Sequence, residues 1–438
     1  MFCAHKNSYL QLVSAVDPRV IDKAVTKALA PRDAPSAFFR RIVSMQPSLY
    51  APHCDVTRAN LGFGRVGLRL IIRDLHSRDP LLQLQALHSV LDQVQITENA
   101  MFLINLHIVY RLIDLILHEN DIVKERVCLI YTHLAKYHQG RSRVLMRPII
   151  IEKLTKLIME ARGEIRYAAG YALYTLSRHQ CVVETMVKVK DLVKNLLEKI
   201  QDEHQNIVLV HLKTLCNLTE WDQEIALRCN AFQVMHSLFD DEFPRAVCCT
   251  AMKCMAQLLR HPVGKELADI HDVNAFVIPL LQCKKTKVLL SATRLMEAST
   301  LTTRSKWRLK ERCTEVTKSL VGLCQHSNEP VLQLQSMQVL INLCDSPDIR
   351  HHMKAHWEHK IMNVKIRTAD QWDGTSEATP PGLDTGHYYR TVCLEGVETV
   401  RNFKEDCPLA VDVHNYLETL HAKKKHLIYA INWKSYKN

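Results

Sequence analysis

Gly62-Phe63-Gly64-Arg65-Val66-Gly67 matches, letter for letter, the glycine pattern that cradles the pyrophosphate of a dinucleotide. That chemistry needs a buried parallel strand just before the first glycine and a βαβ unit around it. The preceding residues, Asp55-Val56-Thr57-Arg58-Ala59-Asn60-Leu61, do not read as such a strand, so the pattern is a loop leading into a helix. His351, His352, His356 and His359 fall within nine residues, and His352 and His356 share one helix face at i, i+4. A metal site wants three or four ligands and a supporting shell. No cysteine pair stands nearby to complete one, so these histidines read as a solvated, mildly basic face. Cys248, Cys249 and Cys254 are the densest thiols, and Cys254 lies on an apolar helix face, where a thiol packs as a small hydrophobe. Phosphate loop, H-E-x-x-H and nucleophile elbow are all absent from the sequence. The reading is a non-enzyme with no cofactor, metal or small-molecule substrate.

Charge is the chemistry that remains. The chain carries a net +11. Between Lys284 and Arg312 lie Lys284, Lys285, Lys287, Arg294, Arg304, Lys306, Arg308, Lys310 and Arg312, opposed only by Glu297 and Glu311, with Trp307 among them. The tail adds Lys423, Lys424 and Lys425, then Lys434 and Lys437. Stripes of this kind bind acidic surfaces. With no nucleic-acid module in the sequence, acidic protein partners are favoured over nucleic acid. The expected partner-binding residues are Lys284, Lys285, Lys287, Arg304, Lys306, Trp307, Arg308, Lys310, Arg312 and Lys423 to Lys425.

These side chains must be presented by helices. Only 12 of 438 residues are glycine, against an average usage of about 7%. Hairpins and nucleotide loops depend on glycine, so sheets and barrels are disfavoured. Asp79-Pro80-Leu81-Leu82-Gln83-Leu84-Gln85-Ala86-Leu87 returns 250 positions later as Glu329-Pro330-Val331-Leu332-Gln333-Leu334-Gln335-Ser336-Met337. Between them an apolar face at i, i+4, i+7 and i+11 recurs, starting at Leu82, Val123, Ile165, Ile207, Val247, Val288 and Leu332. Those starts lie 40 to 44 residues apart. An earlier helical stretch precedes each face, as at Ile108–Leu117, Ile149–Met159 and Leu192–Ile200. A period of that length built from two or three helices is the armadillo/HEAT class. The fold expected is all-α, a right-handed α-solenoid of about seven repeats.

The division expected is an extended arm over 1–58, with several prolines and one short helix near Ile21 to Leu29. A solenoid with a terminal cap follows over 59–366. A linker and C-terminal helices fill 367–438, the helices at His387–Phe403 and Leu409–Tyr429 lying outside the register of the array. No apolar run approaches the 18 or so residues of a membrane span. His5, Lys6 and Asn7 interrupt the place of a signal peptide. Fifteen cysteines without a C-x-x-C pair read as reduced thiols in a cytoplasmic setting. Armadillo arrays that grip extended peptides carry an asparagine ladder just before the i+11 position. Here that position reads Asp92, His133, Thr175, Asn217, Gln257, Ala298 and Asn342, a broken ladder that speaks against a nuclear-import receptor.

Thr57-Arg58-Ala59, then Phe63-Gly64-Arg65, Leu68, Leu70 and Leu75, resemble the start of the array in armadillo-repeat axonemal proteins of the radial spoke head 14 homologue family. The resemblance spans roughly residues 57 to 360; the arm before it and the helices after 367 have no counterpart there. It implies a non-enzymatic scaffold of the cilium or flagellum whose faces hold other radial spoke subunits. The alternative is a soluble armadillo-type adaptor that binds peptides or acidic partners outside the cilium.

Overall fold

A computed structural model describes residues 64–239, 244–367 and 408–433; the side chains of 64–66 and 408–416 are not part of that description. The expected N-terminal arm and the expected helix over His387–Phe403 lie outside the described residues, as do Gly62 and Phe63 of the Gly62–Gly67 motif. Every regular element among the described residues is helical. Two compact units divide the chain, Met1–Arg147 and Pro148–Asn438.

The first unit contains α1 (Gly64–Asp74), α2 (Pro80–Gln93), α3 (Thr97–Asn105), α4 (Ile108–Arg111) with a 3-10 turn at Ile113–Leu115, α5 (Asp121–Leu134) and α6 (His138–Leu145). The second begins with α7 (Ile149–Leu157), α8 (Gly163–Ser177), α9 (Gln180–Val187), α10 (Leu192–Asp202) and α11 (Gln205–Trp221). It continues with α12 (Glu224–Arg228), α13 (Ala231–Ser237), α14 (Arg245–Leu258), α15 (Pro262–His271), α16 (Val273–Leu280) and α17 (Thr286–Ser299). Then come α18 (Thr303–Glu311), α19 (Cys313–Cys324), α20 (Pro330–Leu343), α21 (Pro347–Met362) and α22 (Pro408–Asn432).

Each repeat is a trio: a short first helix, a second, and a longer third. All seven periodic faces fall on third helices, namely α2, α5, α8, α11, α14, α17 and α20. In the second unit α8, α11, α14, α17 and α20 pack one on the next in chain order. Their apolar stripes are the core: Ile165, Ala169, Ala172 and Leu176 on α8, then Val247, Ala251, Cys254 and Leu258 on α14, are all buried. The sequence pattern missed the short first helices because two turns carry too little periodicity to register.

Glycine is scarce partly because other residues make the sharp corners. His107, Asp191, Asn230 and Asp272 have φ of 63°, 62°, 61° and 45°, and each immediately precedes a second helix (α4, α10, α13 and α16). Asn, Asp and His tolerate this left-handed conformation better than other non-glycine residues.

The Leu-Gln-Leu-Gln motif that betrayed the repeat has a structural task in each unit. Gln83 on α2 donates to the Leu75 carbonyl at 3.0 Å, and Gln333 on α20 donates to the Cys324 carbonyl at 2.8 Å. Both glutamines are buried and satisfy a carbonyl at the end of the preceding helix. At the C-terminal end the structure departs from expectation. α22 does not stand apart from the array: it packs on α20 and α21, the place a further third helix would take. Leu417, Leu420, Leu427 and Ile431 form its buried stripe.

Candidate partner-binding face

The third helices fix which side chains share a face, because residues four apart on a helix point the same way. In the second unit the ladder position and the position four residues before it both lie on this face. They fare differently. Three of the ladder amides hydrogen-bond between repeats. Asn217 donates to Ser177 Oγ at 2.9 Å, Gln257 accepts from Thr219 Oγ1 at 2.9 Å, and Asn342 donates to the Glu297 carbonyl at 3.2 Å. Gln257 and Asn342 are buried.

The position four residues earlier, at i+6 of each periodic face, reads Tyr171, Lys213, Lys253, Arg294 and Gln338 on α8, α11, α14, α17 and α20. Three consecutive repeats thus present a cation in one register. Lys253 is exposed, and Lys213 and Arg294 are half-buried. At one end of the row Tyr167, Tyr171 and Tyr174 form a run of rings with centroids 6.0 Å apart, and the Lys213 ammonium lies 5.7 Å from the Tyr174 ring centre. At the other end Lys423 of α22 donates to Gln338 Oε1.

The fields of these cations are felt locally. Burial raises the Glu297 carboxyl above its ordinary value, and the Arg294, Lys423 and Arg260 charges act against that rise. Lys213 and Lys253 each stand alone in the linear chain, and only the alignment of repeats by their own period brings them together.

Of the expected partner-binding residues, the structure distributes the roles. Lys284, Lys285 and Lys287 lie exposed at the turn into α17, and Arg304 and Arg312 are exposed on and beside α18. Trp307 is 66% exposed. Others are tied into the scaffold. Lys306 pairs with Asp345 at 2.5 Å and Lys310 with Asp348 at 2.6 Å. Arg308 donates to the Asp269 carbonyl at 2.6 Å and faces Asp272 at 3.8 Å. Lys424 donates to the Val364 carbonyl at 2.8 Å, while Lys425 is exposed. The stripe is therefore two things: brackets between first helices, and a set of exposed cations around them.

His352 and His356 stack with centroids 4.5 Å apart, and burial lowers the His352 imidazole. Among the described residues no group of three or more His, Cys, Asp or Glu is placed to hold a metal ion, and no helix is long and apolar enough to cross a membrane.

No family model and no curated protein matches the sequence. Solved structures do. An engineered protein superposes with a TM-score of 0.62 at 14% identity, over 84% of this chain and 89% of its own. The chain is an all-α solenoid. Designed armadillo repeat proteins are also similar, one at 15% identity with a TM-score of 0.49 over 53% of this chain and 99% of its own. Another, in complex with peptide (KR)4, has the same identity, score and coverage. At these identities the likeness concerns the fold.

Proposed function

We propose that this solenoid is a non-enzymatic scaffold that holds acidic protein partners on its repeat faces. The observation that carries the reading is the row Lys213, Lys253 and Arg294, three cations placed in one register by three stacked third helices. A folded array that sets like charges side by side at the same repeat position loses stability to their repulsion. A partner's carboxylates relieve that repulsion, which is why the row reads as a binding surface.

We further infer that the scaffold works in the axoneme of cilia and flagella, as a subunit that holds other radial spoke proteins. The support is the resemblance over Thr57-Arg58-Ala59 and Phe63-Gly64-Arg65 to the radial spoke head 14 homologue family, of which residues 57–63 lie outside the described residues. The cation row itself equally suits an adaptor working in the cytoplasm. Fractionation of demembranated axonemes separates the two readings. Co-migration of the protein with salt-extracted spoke complexes on a density gradient is the axonemal outcome; its presence at equal level in cells that build no motile cilia would overturn it.

A further inference from the structure

The row constrains the backbone of its partner as well as the charge. We propose that the third-helix face of the second unit takes an acidic segment of a protein partner in polyproline II conformation, with carboxylates three residues apart. This rests on the protein-binding reading above and names the ligand.

Three observations lead there. Adjacent packed helices lie roughly 8–10 Å apart, so cations at one register of consecutive third helices recur at about that interval. A polyproline II chain rises about 3.1 Å per residue with three residues per turn, and every third side chain returns to the same side after about 9 Å. Glutamates at i, i+3 and i+6 then meet Lys213, Lys253 and Arg294 in turn. In a β-strand, same-face side chains recur every two residues, about 6.6 Å, and fall out of step after one repeat.

The second observation is what happened to the amides. A β-extended ligand needs partners for its backbone N–H and C=O groups. The side chains that would supply them, Asn217, Gln257 and Asn342, are already bonded between repeats. Polyproline II leaves its backbone solvated and asks for none. The third is the aromatic end. Tyr167 and Tyr171 are 41% and 36% exposed and stacked, a surface suited to proline rings or an indole beside the first carboxylate.

Charge complementarity supports an acidic occupant. Arg260 and Lys423 flank the row, and the acids on the same face are Glu220 and the half-buried Glu297.

The test uses the full chain and two labelled synthetic peptides of identical composition, read by fluorescence anisotropy at low salt. One has a tryptophan followed by glutamates at every third position with proline pairs between them; in the other the glutamates are contiguous. The spaced peptide is expected to bind about tenfold more tightly than the contiguous one, and Lys253→Glu with Arg294→Glu to abolish its binding. Lys156→Glu with Lys318→Glu, exposed cations on the second helices α7 and α19, serves as the charge control and is expected to leave it unchanged. Because Lys253 is exposed, the single variant Lys253→Glu keeps the test valid if the double variant misfolds. Equal affinity for both peptides, sensitive to Lys253→Glu, would overturn the polyproline geometry while leaving the acidic-partner reading intact. No binding of either peptide, or binding indifferent to Lys253→Glu, would overturn the site. Tighter binding of a polyuridine oligonucleotide, lost in the same variant, would overturn a protein ligand.

Discussion

A methyl group placed on Gly170 would stand 2.9 Å from Nε2 of His211, on the neighbouring third helix. α8 and α11 meet there with no room for a side chain, and His211 is wholly buried. Gly170→Ala therefore sets two effects against each other. Alanine favours the helix by about 1 kcal/mol, while overpacking a closed core costs about 1–3 kcal/mol. The expected sum is a net loss of up to about 2 kcal/mol. Gly322 is the counter-case, since nothing lies within 4 Å of a Cβ built there. Gly322→Ala should raise stability by roughly 0.5–1 kcal/mol. Denaturant unfolding followed by far-ultraviolet circular dichroism reads both signs; a stabilising Gly170→Ala would show that the helix pair can open.

His211 also sets a pH dependence. Neither of its ring nitrogens has a hydrogen-bond partner among the described residues, and burial lowers its pKa to about 4. The folded protein keeps this imidazole neutral, whereas the unfolded chain protonates it near its ordinary value of 6.5. Stability is thus unaffected by His211 above pH 6.5 and falls as the pH drops from there towards 4. The full drop corresponds to about 3 kcal/mol. His211→Leu removes that share and, having no unpaired nitrogens to bury, should match or exceed the parent at neutral pH. His133 and His236 are also lowered by burial, so a smaller acid loss persists in the variant. Parallel unfolding curves for parent and variant across this window would sink the assignment.

Beside His211, Arg166 and Glu203 form a two-pronged ion pair, Nη2 to Oε1 at 2.8 Å and Nε to Oε2, with side chains only 15% and 6% exposed. Arg166 also donates to the carbonyls of Glu160 and Ala161 at 2.8 and 2.6 Å. One side chain thus joins the start of α8 to the end of α10. The hydrogen bond from Arg166 holds the Glu203 carboxyl below its ordinary value, so its stabilisation is present above pH 4.5 and is lost as the pH falls through the lowered value. Glu203→Gln leaves the guanidinium without its counter-charge and should cost about 1.5–3 kcal/mol at neutral pH. Arg166→Lys should not restore the loss, since an ammonium cannot make the fork. Equal stability of Arg166→Lys and the parent would refute the two-pronged role.

The period and type of the third helices were legible in sequence because four apolar positions per face repeat seven times. Most of the partner-binding face was not, for two reasons seen in particular residues. Lys306 and Lys310 look like free charge in a linear stripe, but their acids, Asp345 and Asp348, come from the next repeat. Lys253 looks isolated in the chain, yet it acquires neighbours only when repeats stack. Linear proximity over-counted one group of cations and under-counted the other. The glycine deficit, by contrast, points to helix from composition alone, and the corners at Asp191, Asn230 and Asp272 supply the part of the explanation that composition cannot.

Those two groups of cations should respond oppositely to mutation. Lys306 has a side chain 12% exposed and pairs with Asp345 across repeats. Lys306→Ala is expected to lower the unfolding midpoint measurably, partly through lost contact along its aliphatic stem. Lys284→Ala, Lys285→Ala and Lys287→Ala together should leave the midpoint unchanged, since surface substitutions away from special features stay within about 0.5 kcal/mol. A drop in midpoint for the triple variant comparable with that of Lys306→Ala would mean that the exposed lysines also belong to the scaffold.

The end of the array makes the last prediction. A stack of repeats exposes an apolar face wherever it stops, and it needs a terminal element with one polar side. α22 has that construction: Leu420 and Leu427 are fully buried against the rest of the second unit, while Lys425, Tyr429 and Trp433 face outward. Lys424 ties it to the Val364 carbonyl, and Asn432 donates to Glu358 Oε1 at 2.9 Å. Leu420→Ala and Leu427→Ala should each cost about 2–5 kcal/mol, as buried leucines do. Removing the chain from residue 408 onward should do more than destabilise. It uncovers the apolar sides of α20 and α21, so the truncated protein is expected to bind a hydrophobic dye and to self-associate at concentrations where the full chain is monodisperse. Hydrogen exchange would locate the effect, with α20 and α21 losing protection before α8 and α11, because each repeat depends first on its neighbour. Protection lost uniformly across the second unit would show that α22 supports the whole array at once and does not act as a local cap.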